Sequence, residues 1–297
     1  MALQIISKAG ADAWIPEIWA QEVLARLRAN IVLARIVRRD YSNQVAQRGD
    51  TVNIPVPVTL SAFDVGDTGT QNVTLTTKQV ILNKFKHVPI RVDDLALAQT
   101  APNLMEDLTT AAAQALAEAI EQDLFALYTA ASASVGTAGT DVTAATVRAA
   151  KKVLDDAKAP QTDRYLIVSP KDQISLMGDS ALAPFFAQAN PEAIRQGVLP
   201  NLYGFQVAMS QMVPVVTGTP NTTYNLALHR DAMALVTRPL PAPMDGTPSV
   251  VVVDSEAGLS FRLTLSYDVT GKSHTISVDI LYWVAAIRPE LLVQVKG

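Results

Sequence analysis

Two prolines in one alternating run constrain this chain most. In QRGDTVNIPVPV, Gln47 to Val58, the residues Val52, Ile54, Val56 and Val58 fall on one side of an extended backbone, and Thr51, Asn53, Pro55 and Pro57 on the other. Strict alternation is the pattern of a half-buried strand. Proline has no N–H to offer a ladder, so a strand carrying two of them is excluded from the middle of a sheet. Alternate N–H groups point to the same edge; Pro55 and Pro57 therefore remove donors from one edge only. The strand can pair along its other edge, and the proline edge is blunted against further addition. After a dozen turn-rich residues, SAFDVGDTGTQN, the β-branched segment VTLTTKQVILNKFKHVPIRV returns from Val73 to Val92. The two segments predict a long hairpin with an open tip, an arm.

Such an arm cannot stand alone. Burying its four aliphatic residues stabilises by about 6–10 kcal/mol at best. Ordering some twenty backbone residues costs about 1–2 kcal/mol each, and isolated two-stranded hairpins are marginal in water. The arm must lean on its own body or on a neighbouring subunit.

The 297 residues suffice for one large domain or two smaller ones with real cores. Apolar residues make up 49 % and charged residues 18 %, an excess of apolar character that suits a chain with interfaces. The net charge of −4 argues against general nucleic-acid binding by the whole surface. With no cysteine, disulfides and cysteine metal sites are excluded. MALQIISKAG lacks the parts of a signal peptide, and ILYWVAAI, Ile280 to Ile287, is too short to span a bilayer as a helix. These features predict a soluble intracellular product.

Along the chain, WIPEIWAQEVLARLRAN predicts a helix from Pro16, with Trp19, Val23, Leu24 and Leu27 as a narrow stripe. Arginines 26, 28, 35, 38, 39 and 48 follow. This basic stretch is either a solvated face or an arm that meets an anionic partner through Arg35, Arg38 and Arg39. Beyond the hairpin, Asn103 and Glu106 have capping-box spacing. Leu104, Leu108, Ala112, Leu116, Ile120, Leu124 and Leu127 then line one face of a helix of about 28 residues, a rod of about 40 Å. The middle of the chain, about 140 to 255, predicts an α+β unit: a helix ending before Pro160, a buried strand RYLIV, and a helix capped by Ser169 with Pro170 in its first turn. Finally LSFRLTLSYDV and SHTISVDILYWVAAI predict a long hairpin turning near Gly271, with one apolar face packed on the long helix.

Catalytic motifs are missing. There is no GxxxxGK[ST], HExxH or GxSxG. His87, His229 and His274 fall on separate predicted elements with no acid at ligand spacing. His229–Asp231 spells HRD without the other kinase elements, and Arg48–Asp50 spells RGD where a turn into the arm is the simpler reading. No catalytic, cofactor-binding or metal-binding residue is assigned, and the chain is not expected to be an enzyme.

The order of parts carries a resemblance: a basic N-terminal arm, a projecting hairpin, a long helix, an α+β unit and a C-terminal hairpin. With the phrases VLARIVRRDYSNQVAQRGDTVNIPVP, GFQVAMSQMVP and LALHRDAMALVTRPLP, it resembles the major capsid proteins of tailed bacteriophages, the Hong Kong 97-type α+β fold, over nearly the whole chain. The resemblance implies an N-arm over 1–47, an extended loop over 48–92, a peripheral domain with the spine helix over 93–139, an axial domain over 140–255, and the peripheral domain's C-terminal hairpin over 256–297. It implies self-assembly through hexamers and pentamers into an icosahedral shell around double-stranded DNA, bound without sequence specificity. The extended loop would lie across a neighbouring subunit, with Val52, Ile54, Val56 and Val58 as intersubunit contacts. Implied partners are a separate scaffolding protein and a portal protein, with a decoration protein left open and no membrane; the shell would form in the host cytoplasm and end as the virion capsid. Two other readings stay open. One is an encapsulin-like compartment shell; the other is an oligomeric α+β enzyme whose hairpin serves dimerisation.

Overall fold

In the computed structural model, residues 32–39, 51–55, 62, 64–65, 77–95, 104–184, 197, 199, 201–244, 246–254 and 259–297 are described. The helix expected from Pro16 and the capping residue Asn103 lie outside these residues. Four helices and thirteen strands are described: α1 (Leu33–Ile36), β1 (Thr51–Pro55), β2 (Thr77–Ile81), β3 (Lys84–Asp93), α2 (Leu104–Phe125), β4 (Ala133–Val135), α3 (Ala144–Asp156), β5 (Arg164–Val168), α4 (Pro170–Gly178), β6 (Gln206–Met209), β7 (Val215–Val216), β8 (Thr222–His229), β9 (Met233–Arg238), β10 (Ser249–Asp254), β11 (Leu259–Asp268), β12 (Ser273–Ala286) and β13 (Leu292–Lys296).

Three sheets organise the strands. β1 and β2 form a two-stranded ribbon; β10-β11-β12-β3, with β9 also on β12, form a five-stranded sheet; β4-β13-β8-β5-β6, with β7 on β8, form a six-stranded sheet. The C-terminal hairpin is the predicted one: Arg262 faces Asp279 and Asp268 faces Ser273 in the β11–β12 register. Its apolar face is buried at Leu259, Phe261 and Leu263 and at Ile276, Val278, Ile280, Tyr282 and Val284. Tyr267 and Val269, expected on that face, are exposed; they stand at the end of β11 and in the turn that follows it.

That face packs on α2. Ala112, Leu116, Ile120 and Leu124 are buried in the same core as Phe261, Ile276 and Tyr282. The helix has 22 residues rather than about 28, and Ala126–Ala130 tighten into a 3-10 turn, a common way to end an α-helix. At 1.5 Å per residue its rod is about 33 Å.

The returning half of the arm is split. Thr77–Ile81 pairs with β1, whereas Lys84–Asp93 leaves the ribbon and pairs with β12 from Ser273 to Tyr282. Among the described residues the ribbon is the base of the predicted hairpin, and Lys84–Val92, assigned to the arm, is instead an outer strand of the five-stranded sheet. The sheets also exchange strands across the expected boundary near 255. β9 and β10 join the five-stranded sheet, and β13 joins the six-stranded one. Side-by-side turns make the exchange. Arg230–Ala232 carries the chain from β8 to β9, and Pro289–Leu291 carries it from β12 to β13. Ile287 and Arg288 N–H groups both donate to the Ala232 carbonyl, at 2.9 and 3.1 Å, and the Ser132 N–H after α2 donates to Pro289 at 3.2 Å. These backbone bonds form a neck between the two sheets.

In the six-stranded unit, Ser169 caps α4 by accepting from the Asp172 N–H at 3.1 Å, and Pro170 stands in its first turn, as expected. The Asp172 Oδ2 accepts from Ser169, Thr223 and Asn225 at 2.7, 2.6 and 2.7 Å, tying α4 to β8. Asp155, at the unfavourable C-terminal end of α3, is held by Lys151 and Arg164, each at 2.6 Å.

Candidate functional site

The base of the arm plugs into its own subunit. Ile54 and Lys78 stand directly opposite each other in the ribbon, so their side chains share a face. Ile54 is fully buried against Ala234 and Val236 of β9, Trp283 of β12 and Ile287 just beyond it, and the Lys78 ammonium donates to the Ala286 carbonyl. Tyr282 and Trp283 are consecutive on β12 and point to opposite faces. Tyr282 meets the spine helix, where its hydroxyl donates to Asp123 at 2.5 Å; Trp283 makes the socket wall for the arm. One strand thus ties the helix, the sheet and the arm together.

Asp123 is the polar centre of that tie. Lys84 of β3 sits 2.7 Å from its other oxygen. Burial acts to raise the Asp123 carboxyl, but the hydrogen bonds from Lys84 and Tyr282 outweigh it and hold the group below the usual carboxylate range. Burial, and then Asp123 itself, push the Tyr282 hydroxyl far up, so it stays a donor.

A second anchorage holds the N-terminal segment. Glu121, on the buried side of α2, accepts the backbone N–H groups of Val32, Leu33 and Ala34 at 3.0, 3.0 and 2.9 Å. It serves as the cap of α1, whose own preceding residue, Val32, has no side-chain cap. The chain then runs along β9: the Arg38 N–H donates to Met233 at 3.1 Å and the Leu235 N–H to Arg38 at 3.0 Å. Nothing in the apolar stripe singles out Glu121.

Of the expected arm contacts, Ile54 is inside its own subunit; Val52 stands opposite Val80 in the ribbon, and Val56 and Val58 lie outside the described residues. Of the basic residues, Arg35 is exposed, Arg39 is half-buried, and half-buried Arg38 pairs with Asp231 at 3.4 Å. The HRD tripeptide is the turn from β8 to β9. His229 Nδ1 accepts from the Asp231 N–H at 3.2 Å, and burial lowers its pKa, which suits a neutral cap. Among the described residues no group of three His, Cys, Asp or Glu side chains is placed to hold a metal, and no helix is long and apolar enough to cross a membrane. A depression of about 420 Å³ between the end of α2 and the Gln211–Val215 stretch is lined by no acid, histidine or lysine.

The socket makes a direct prediction. Ile54→Ala should weaken docking of the arm base by about 2–4 kcal/mol. Hydrogen exchange should then show lost protection at Val52 and Ile54, with β12 from Ser273 to Tyr282 still protected. Unchanged protection in the ribbon would mean that Ile54 is not what anchors it.

A family described as phage capsid protein matches residues 89–288. A solved structure from Mycobacterium phage Che8 is 21 % identical, covers 89 % of this chain and 90 % of its own, and superposes with a TM-score of 0.68. One from Microbacterium phage Oxtober96 is 13 % identical, covers 90 % of each chain and has a TM-score of 0.60. An encapsulin complex from Synechococcus elongatus is 12 % identical over 84 % of this chain and 82 % of its own, with a TM-score of 0.51. No curated protein matches the chain.

Proposed function

Because the chain belongs to the phage capsid protein family, we propose that it is the major head protein of a tailed phage and that its extended loop clasps a neighbouring subunit. The fold is the Hong Kong 97-type capsid fold, and the protein is a self-assembling component of the virion capsid. The family match over residues 89–288 carries the reading. Many copies meet in symmetric rings, and rings close a shell around double-stranded DNA. Single contacts of modest strength suffice, since multiplicity supplies the rest.

In this reading the five-stranded sheet with α2 is the peripheral domain, the six-stranded sheet with α3 and α4 is the axial domain, and the neck at Ala232 and Pro289 is their junction. The plugged arm base fixes Pro55 and Thr77, the two described ends of the loop. With Ile54 taken up by its own subunit, Val52, Val56 and Val58 are the remaining residues of the set assigned to the neighbour. Arg35 is exposed among the described arginines of the N-terminal segment, and it is the candidate contact for packaged DNA. A separate scaffolding protein would control shell size, and a portal protein would occupy one vertex. The protein's role is structural rather than enzymatic.

Electron microscopy of the purified protein, alone and with a co-expressed scaffolding protein, tests this. Hollow shells, or sheets and tubes of hexamers, are expected; discrete dimers or tetramers under both conditions would overturn the shell reading. The encapsulin alternative is distinguished by contents: phage particles hold DNA, and a compartment holds a protein cargo.

A further inference from the structure

The five-stranded sheet treats its outer strands unequally. β3, KFKHVPIRVD, carries Lys84, Lys86, Pro89 and Arg91, the features that blunt an edge. β9 is covered by the N-terminal segment through the two backbone bonds at Arg38. Among the described residues, β10, SVVVVD, has neither protection. It is six residues long, has no proline and no lysine, and its only charge, Asp254, stands at its end.

Its register shows what it offers. The Leu265 N–H donates to the Pro248 carbonyl at 3.0 Å, in the line that places Ser249 opposite Thr264. Antiparallel bonds alternate, so Val250, Val252 and Asp254 exchange bonds with β11, while Ser249, Val251 and Val253 turn their N–H and C=O groups outward. On the faces of the sheet, Val252 is 8 % exposed, whereas Val251 and Val253 are 37 % and 62 % exposed, so the outward pair also lies on the solvent face. A monomer that leaves such an edge bare invites strand addition.

We propose that the outer edge of β10 is an assembly edge, on which an extended strand of a second copy of this chain adds during shell formation. The inference rests on the capsid reading and goes beyond it by naming the receiving strand. The partner is a copy because a self-assembling shell brings many copies together, and because the edge from Ser249 to Val253 is uncharged and selects an uncharged, apolar strand. This chain is rich in such strand sequence and poor in charge. The opposite edge, blunted at β3, prevents the same sheet from growing endlessly, so addition occurs once per subunit and is compatible with closure.

The test uses the register. Val251→Pro removes an outward N–H and leaves the bonds to β11 in place; Val251→Lys puts a charge on the same edge without touching the backbone. Both subunits should unfold at the wild-type temperature, and particle yield should fall by roughly tenfold or more for each. A benzophenone amino acid in place of Val253, in particles made of this chain, should cross-link to a second copy and give a band of twice the subunit mass. Wild-type particles establish the shell independently. Against that control, normal particle yield from both Val251 variants, or a cross-link only to some other protein, would overturn the assembly edge.

Discussion

Replacing Glu121 by alanine is expected to detach the N-terminal segment from the spine helix and to destabilise the subunit by about 3–5 kcal/mol. Three backbone N–H groups lose their acceptor at once, and each unsatisfied buried donor costs about 1–3 kcal/mol. Leu33, Ala34 and Val37, all fully buried, would lose the geometry that holds them in the core. Thermal unfolding of the unassembled subunit measures the loss; an unchanged transition would show that α1 is held by its apolar contacts alone. Glu121→Gln should cost less, because one carbonyl oxygen still accepts.

The same residue gives a pH dependence with a definite sign. Burial raises the Glu121 pKa above its ordinary value of 4.5, and the three backbone hydrogen bonds only partly offset that. The native state therefore binds this proton more tightly than the unfolded chain does. The resulting stabilisation is fully present below the unfolded value and is lost as pH rises through the native one. Wild type should lose stability relative to Glu121→Gln as pH climbs from about 4.5 through the raised pKa, and the difference should level off beyond it. Parallel curves for the two proteins would remove Glu121 as the titrating group.

Local chemistry was legible in the sequence where a local pattern sufficed. Ser169 and Pro170 announce a helix start because the cap is a bond to a residue three positions away. Leu116, Ile120 and Leu124 announce a buried face, and the Leu259–Leu263 and Ile276–Val284 alternations announce a hairpin, because one turn joins the two strands. Pairing between distant segments was not legible. A β-branched run such as Lys84–Asp93 reads the same whether it pairs with β1 or with β12, and only the two-residue break at Leu82 and Asn83 marks the change of partner. The strand exchange at the neck was hidden for the same reason: Leu292–Lys296 looks like the tail of the C-terminal hairpin, yet its partners are Tyr224–Leu228 and Ala133–Val135. Glu121 was hidden because a glutamate suits any helix by propensity, and its role depends on amides some ninety residues earlier in the chain. For the candidate site, the proline argument located the arm but not its socket, since Trp283 and Ile287 join Ile54 only through the tertiary fold.

Deleting Val58 to Val73 should separate folding from assembly. The deletion leaves five of the 21 residues that connect Pro55 to Thr77, enough to close the ribbon while Ile54 stays in its socket and Lys78 stays on Ala286. No residue of the described core is removed. Closing a shorter loop costs less chain entropy, and the logarithmic dependence on length predicts a subunit more stable by about 1 kcal/mol. Assembly should behave oppositely. If the projecting loop supplies a contact to the next subunit, every subunit in the shell loses that contact, and about 1.4 kcal/mol lost at each is a tenfold weaker association at each step. Repeated over a shell, even so modest a loss should abolish closed particles while leaving a soluble, folded subunit. Calorimetry on the subunit and electron microscopy of the assembly reaction read the two effects separately. Normal shells from a deleted protein that unfolds at or above the wild-type temperature would show that the loop beyond Pro55 does not join subunits, and the shell would then have to be held by the sheet edges and the axial unit.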